Sequence, residues 1–173
     1  MALTSIFLKL FIDGKPVKGE SQAKGYEGQI EVESFNWALS SKLHAKGSGD
    51  IVEVETRVKH LKFSKVYDAA TGLLIQTASK KEKEFSTARF TLTSMVLSSR
   101  GANNLSKMLE MVLSDGQVEE VSLSASEGKD SMSLKEDVTL SYRKCKLLYY
   151  PLDGETFNRG AAMTFELMTN STT

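Results

Sequence analysis

The chain has 173 residues, 40% hydrophobic and 25% charged, which is the composition of one globular domain and excludes a disordered chain. Lys plus Arg number 22 and Asp plus Glu 22, so zero formal net charge removes any sequence-blind pull toward nucleic acid or anionic membrane and leaves identical copies without overall repulsion. The single cysteine, Cys145, excludes an intrachain disulfide, two histidines cannot complete a Cys/His zinc site, and no apolar run approaches the roughly 20 residues of a membrane helix.

Period-two alternation runs through the chain and predicts a mainly β protein, a single domain over residues 1–173. Residues 6–12 read as the first strand, ended by the turn dipeptide Asp13-Gly14; Pro16 follows, a residue that cannot donate to a central ladder. In the second strand Ile30 and Val32 alternate with Glu31 and Glu33, yet Phe35 and Trp37 fall on the glutamate parity. A bulge near Glu33-Ser34 is therefore expected, beyond which Asn36 points away from the side that buries Phe35 and Trp37.

Residues 40–50 are polar and glycine-containing and read as a long flexible loop, a length that usually signals a function. A strand follows at 51–58, with Val52, Val54 and Thr56 opposite Glu53, Glu55 and Arg57. One short helix is expected over 71–79, with Thr71 as N-cap and Lys80-Lys81 at its carboxyl end, held by packing because of its length. Further strands are read at 89–96, 108–113 and 118–125, with turns at 100–104 and Asp115-Gly116.

The strongest strand signal covers 137–150: Val138, Leu140 and Tyr142 share one face, Cys145, Leu147 and Tyr149 the other, so the chain bulges or bends at Arg143-Lys144. Straight, this segment would exceed about 40 Å at roughly 3.3 Å per residue, so it must curve. Asp153-Gly154 makes a turn and Met163, Phe165 and Leu167 supply a closing strand. The sum is a small β-barrel, two packed antiparallel sheets of about eight or nine strands, with one short α-helix.

No nucleophile elbow, zinc-protease, dinucleotide, P-loop or EF-hand pattern is present, and neither His44 nor His60 has a nucleophile near it in sequence. Cys145, on an apolar face, reads as a buried inert thiol, and the charged run 80–84 as a solvated helix end. Gly47-Ser48-Gly49 reads as flexible backbone, and Asn170-Ser171-Thr172 as a chance glycosylation match, because no signal peptide precedes it. No catalysis, cofactor or metal is expected.

Several stretches together resemble the haemolysin-coregulated protein (Hcp) family, tube-forming subunits of bacterial type VI secretion that are similar in fold to contractile phage tail-tube proteins. They are Phe7-Leu8-Lys9, Val17-Lys18-Gly19-Glu20-Ser21-Gln22, Gly28-Gln29-Ile30-Glu31-Val32, Phe35-Asn36-Trp37, Phe63-Ser64-Lys65-Val66-Tyr67-Asp68, residues 109–122, Glu136-Asp137-Val138-Thr139-Leu140 and Tyr149-Tyr150-Pro151. Residues 11–16 look like an insertion, Phe35 stands where the family's W-x-W pattern has its first tryptophan, and the long loop is poorer in glycine than usual.

The resemblance implies hexameric rings of β-barrels stacked into the inner tube of the secretion system. It implies sheath and spike components as further partners and effector proteins in the lumen. It also implies a chain that is cytoplasmic before firing and then secreted without a signal peptide, with no nucleic acid bound and no membrane insertion. The segment 42–50 resembles the family's extended loop, which makes Leu43, His44, Lys46 and Asp50 the expected subunit contacts, and Asn36 matches a lumen-facing position. A tail-tube subunit of a phage-like contractile injection particle, a monomeric β-barrel ligand-binding module and a secreted effector enzyme are the other readings. The interior rich in Phe, Tyr, Trp and Leu counts against the ligand module, and a chain that stops about where the barrel closes counts against the effector enzyme.

Overall fold

The computed structural model describes residues 4–46, 51–80, 82–97, 103–127, 132–153, 156–157, 160 and 163–168. Strand β1 (Thr4–Ile12) buries Leu8, Leu10 and Ile12 on one face and turns through Asp13 (φ 51°) and Gly14 (φ 72°) into β2 (Lys15–Pro16). Two successive positive φ values match the hairpin turn whose twist suits its strands, and Pro16 sits in a strand that pairs with β1 alone.

Strands β3 (Ile30–Val32) and β4 (Ser34–Asn36) are separated by Glu33, and there the chain changes partner: β3 pairs with β1, β4 with β7 (Leu61–Val66). The Glu33 N–H donates to the Ser64 carbonyl at 2.8 Å. The expected bulge is thus a bend between two neighbours, which moves the buried parity from Ile30 and Val32 to Phe35.

The expected loop at 40–50 is corrected. Residues 39–46 form β5 (Leu39–Lys46), which pairs antiparallel with β6 (Ile51–Val58) from Leu39↔Val58 to Lys46↔Ile51, a hairpin arm apart from the main sheet. Residues 47–50, and with them Asp50 and Gly47-Ser48-Gly49, lie outside the described residues, as does Asn170-Ser171-Thr172.

Helix α1 (Thr71–Ala78) lies where expected, but its N-cap is Ala70 and Thr71 is the first helical residue. Thr71 was unsuited to the cap because its hydroxyl is drawn into a buried polar cluster, while the Asp68 carboxylate accepts from the Ala70 N–H at 2.9 Å. Leu74 is fully buried; a leucine so placed contributes about 2 kcal/mol to holding this short helix down.

Three long strands complete the chain's centre: β8 (Phe85–Leu97), β9 (Asn103–Glu127) and β10 (Met132–Tyr149). The turn expected at Asp115-Gly116 is absent, because the flanks of that dipeptide pair with β8 and β10 rather than with each other. Asp115 still has φ 55°, and a Cβ on Gly116 would lie 2.8 Å from Phe85 Cε1 and nearer still to the Ser141 carbonyl oxygen. Opposite this kink, in register with Tyr142↔Gly116 and Lys144↔Ser114, β10 changes its buried parity as the sequence implies. Strands β11 (Leu152–Asp153) and β12 (Thr156–Phe157) pair with each other, and β13 (Met163–Met168) pairs with β10.

The result is one nine-stranded antiparallel sheet, ordered β2-β1-β8-β9-β10-β7-β4 with β3 on β1 and β13 on β10, plus two separate two-stranded sheets. Phe63 on β7 and Phe90 on β8 lie three ladder steps apart, about 14 Å in a flat sheet at ~4.8 Å per step. Their ring centroids are 5.4 Å apart, and Phe35 lies 5.5 Å from Phe90, so the sheet curls around a core of Leu8, Leu10, Ile30, Phe90, Leu113 and Leu140. The expectation of two packed sheets is replaced by this single curled sheet, and no closed barrel is detected among the described residues.

Candidate functional site

The outward face of β4, β7, β10 and the distal half of β9 is polar in successive cross-strand rows. One row runs Ser34, Ser64, Asp137, Ser122, and the next Asn36, Lys62, Thr139, Glu120. Between them on the opposite face lie Phe35, Phe63, Val138 and Val121, turned into the core. Asn36 is exposed, as its parity requires, and lines a shallow polar depression with Lys62, Ser64, Glu120 and Asp137. One of its acidic groups is engaged by the protein, the Ser64 hydroxyl donating to Asp137, and beside the depression Lys135 pairs with Glu33 at 3.1 Å.

The hairpin arm carries the other expected contact residues. Leu43 is 73% exposed, an apolar side chain without cover, and His44 and Lys46 lie on the same strand, in register with Glu53 and Ile51. At the root of the arm the Lys59 N–H donates to Ala38 at 2.9 Å, and an open cleft separates β6 from the sheet. Its walls are charged: Arg57 pairs with Glu55 at 2.8 Å, Arg143 with Glu84 at 3.3 Å, and His60 Nδ1 approaches Glu119 at 2.7 Å. His60 is thereby tied to a carboxylate on the far wall, which sequence spacing did not disclose.

Two clusters stiffen the frame. Lys65 and Glu136, both fully buried, meet at 2.9 Å, and Lys65 also reaches Asp68 (2.7 Å) and Thr71 Oγ1 (3.0 Å), joining β7, β10 and the start of α1. The Thr71 hydroxyl donates to the same Glu136 oxygen at 2.5 Å. On the other side Trp37 Nε1–H donates to the Tyr142 hydroxyl at 2.5 Å, which donates on to the Lys59 carbonyl at 2.8 Å; burial pushes that phenol up to about 12. The period-two pattern places Lys65 and Glu136 on the inward parity, but nothing in it announces that they meet.

Cys145 is fully buried, and burial pushes its thiol up to about 11. A raised folded value means that this group's contribution to stability is whole below the unfolded thiol value of about 8.5 and fades as pH rises toward 11. The expected outcome is a thiol that ignores an aromatic disulfide reagent at pH 8 in the folded protein and reacts stoichiometrically in denaturant. Rapid labelling of the native chain would contradict its burial.

Among the described residues no three His, Cys, Asp or Glu side chains gather as a metal site, and no helix is long and apolar enough to cross a membrane.

A family model described as "Type VI secretion system effector, Hcp" matches residues 7–149. A search of curated proteins returned no match. Among solved structures the chain is similar to Hcp1 from Salmonella typhimurium, at 24% identity and TM-score 0.68, covering 97% of this chain and 95% of that one. It is similar to an Hcp1 protein from an E. coli pathovar, at 18% identity and TM-score 0.70, over 95% and 99% of the two chains. A third, titled a type six secretion system protein, has 18% identity and TM-score 0.79 over 96% of each.

Proposed function

The chain belongs to the Hcp family, the structural and non-enzymatic tube proteins of type VI secretion, and from that membership we propose that six copies close into a ring and that rings stack into a hollow inner tube. Effector proteins travel in the lumen, sheath and spike components engage the tube from outside and at its end, and the protein itself is cytoplasmic until firing and then secreted.

The observation that carries this reading is the four-stranded polar wall with an open edge on each side. Within it each of β4, β7, β10 and β9 is antiparallel to its neighbour, and among the described residues, residues 118–127 of β9 pair only with β10 and β4 only with β7. Open edges of this kind invite pairing with another chain. An even number of alternating strands lets the β9 edge of one copy lie antiparallel to the β4 edge of the next. The two edges differ, so the contact is heterologous and closes only by rotation. Six such walls make a cylinder of 24 strands, about 115 Å around and about 37 Å across at ~4.8 Å per strand, and wider if the strands tilt. That bore suits a small folded domain, whose radius of gyration is ~13 Å for 100 residues.

In this arrangement Asn36 faces the lumen, and Leu43, His44, Lys46 and Asp50 reach a neighbouring copy through the hairpin arm. The bent pair β3 and β4 links β1 to β7, joining the two flanks of each subunit's curled sheet. A wall of hydroxyls, an amide and a few scattered charges of both signs holds cargo weakly, which a conduit requires.

Negative-stain images of purified protein test this reading: sixfold rings with a stained central hole are expected, and featureless single particles would overturn it. Leu43→Asp is expected to weaken assembly at least tenfold while leaving far-ultraviolet circular dichroism unchanged, because Leu43 is exposed in the single chain. Unaltered assembly would remove the arm from the contact.

A further inference from the structure

If the hairpin arm reaches a neighbouring copy, as the ring reading has it, the angle at which the arm leaves the sheet decides where Leu43 lands. Two ties hold its root. One is the Tyr142 hydroxyl on β10, which accepts from Trp37 Nε1–H and donates to the Lys59 carbonyl at 2.8 Å. The other is His60, between Lys59 and the start of β7, whose Nδ1 lies 2.7 Å from Glu119 on β9. Strand β10 runs between the two, since Leu61 pairs with Leu140 and Leu140 with Val118. The pair therefore bridges over β10, across two ladder steps of ~4.8 Å each.

An irregularity of β9 places Glu119 for this. Thr139 pairs with Glu120 and Leu140 with Val118, so Glu119 is the extra residue of a bulge, a feature that re-aims a side chain. The other charged groups of the cleft are Glu55, Arg57 and Lys59 on the arm side, Glu84 ahead of β8, Asp115 on β9 and Arg143 on β10, with Lys62 and Glu120 adjoining along β7 and β9. Of these, Arg57 pairs with Glu55, Arg143 with Glu84, and Asp115 with Lys144 at 3.7 Å, so they are engaged elsewhere than at the His60–Glu119 pair.

We propose that His60 and Glu119 form a proton-sensitive latch that sets the angle of the arm and, through it, the strength of the contact between copies in the ring. A neutral imidazole with its proton on Nδ1 donates an ordinary hydrogen bond to the carboxylate; a second proton, on Nε2, makes that bond charge-assisted and about twice as strong. Histidine is the side chain that takes up such a proton near neutrality. Acid thus tightens the latch and pre-organises the arm, and alkali loosens it. The Tyr142 tie does not respond over this range, because burial pushes its phenol up to about 12. The latch side chains are 51% and 37% exposed, so the bias in one copy is small, about twofold. Repeated in every copy of a closing six-membered ring, a twofold bias compounds to about sixtyfold.

The test follows assembly of the full chain by sedimentation velocity from pH 8 to pH 6 at one fixed ionic strength, since salt screens surface pairs. Wild-type ring formation is expected to strengthen at least tenfold over that range. His60→Gln keeps a neutral donor at the site and is expected to assemble at both pH values as the wild type does at pH 8. Glu119→Gln removes the acceptor charge and is expected to flatten the pH dependence as well. His44→Gln, at the chain's other histidine, in register with Glu53 on the arm, is expected to keep the dependence whatever its effect on overall strength. Far-ultraviolet circular dichroism checks that each variant is folded. Wild-type rings whose formation ignores pH would overturn the latch and leave the ring reading standing, and so would a pH dependence that survives His60→Gln or vanishes in His44→Gln alone. A wild-type chain that forms no ring at any pH would overturn both.

Discussion

Gly116→Ala is expected to lower the midpoint of thermal unfolding by about 10 °C, the equivalent of ~3 kcal/mol at roughly 2–4 °C per kcal/mol for a chain of this size. Gly116 lies where β8, β9 and β10 are in register at Phe85, Gly116 and Tyr142. An added methyl there would run into the Ser141 backbone oxygen on one side and the buried Phe85 ring on the other. Backbone cannot step aside as the end of a flexible side chain can, so the loss falls on the junction of the three longest strands. Gly72→Ala is the control: nothing lies within 4 Å of its added carbon, so a neutral or slightly stabilising effect is expected in the helix. Both should be measured by calorimetry at one fixed protein concentration, since assembly itself raises apparent stability. Equal midpoints for the two variants would contradict the packing described.

Lys65→Met is expected to cost about 3–5 kcal/mol, because it strips the cation from a fully buried carboxylate at Glu136 and leaves Asp68 beside it. Urea unfolding reads this as a fall in midpoint with unchanged slope. Adding Glu136→Leu should recover most of the loss, to within about 2 kcal/mol of the parent, since two apolar groups suit a dry site better than one unpaired charge. A double variant as unstable as the sum of the singles would show that the pair does not act as a unit.

Where flanking segments pair with their own neighbours in sequence, local signals carried the fold. Asp13-Gly14 turns because β1 and β2 fold back on each other, and the parity shift from Ile30 and Val32 to Phe35 marked the bend at Glu33 and hence the outward Asn36. The same dipeptide chemistry misled at Asp115-Gly116, where partners distant in sequence hold both flanks extended and the positive φ serves a kink. The arm escaped notice for a different reason: among the described residues β5 pairs only with β6, outside the main sheet, so β5 lacks the strong apolar alternation that announces a half-buried strand. The Lys65–Glu136 pair joins residues far apart in the chain, which face each other only once β7 pairs in register with β10 at the foot of α1. Met163, Phe165 and Leu167 read as a closing strand, and β13 is that strand, paired with β10 and leaving Met163 and Phe165 exposed.

The mass of the native particle tests the account most directly. Sedimentation velocity across a hundredfold range of concentration is expected to show a particle of about 115 kDa, six chains of 19.1 kDa each, with larger multiples at the top of the range. A species of 19.1 kDa at every concentration would contradict it.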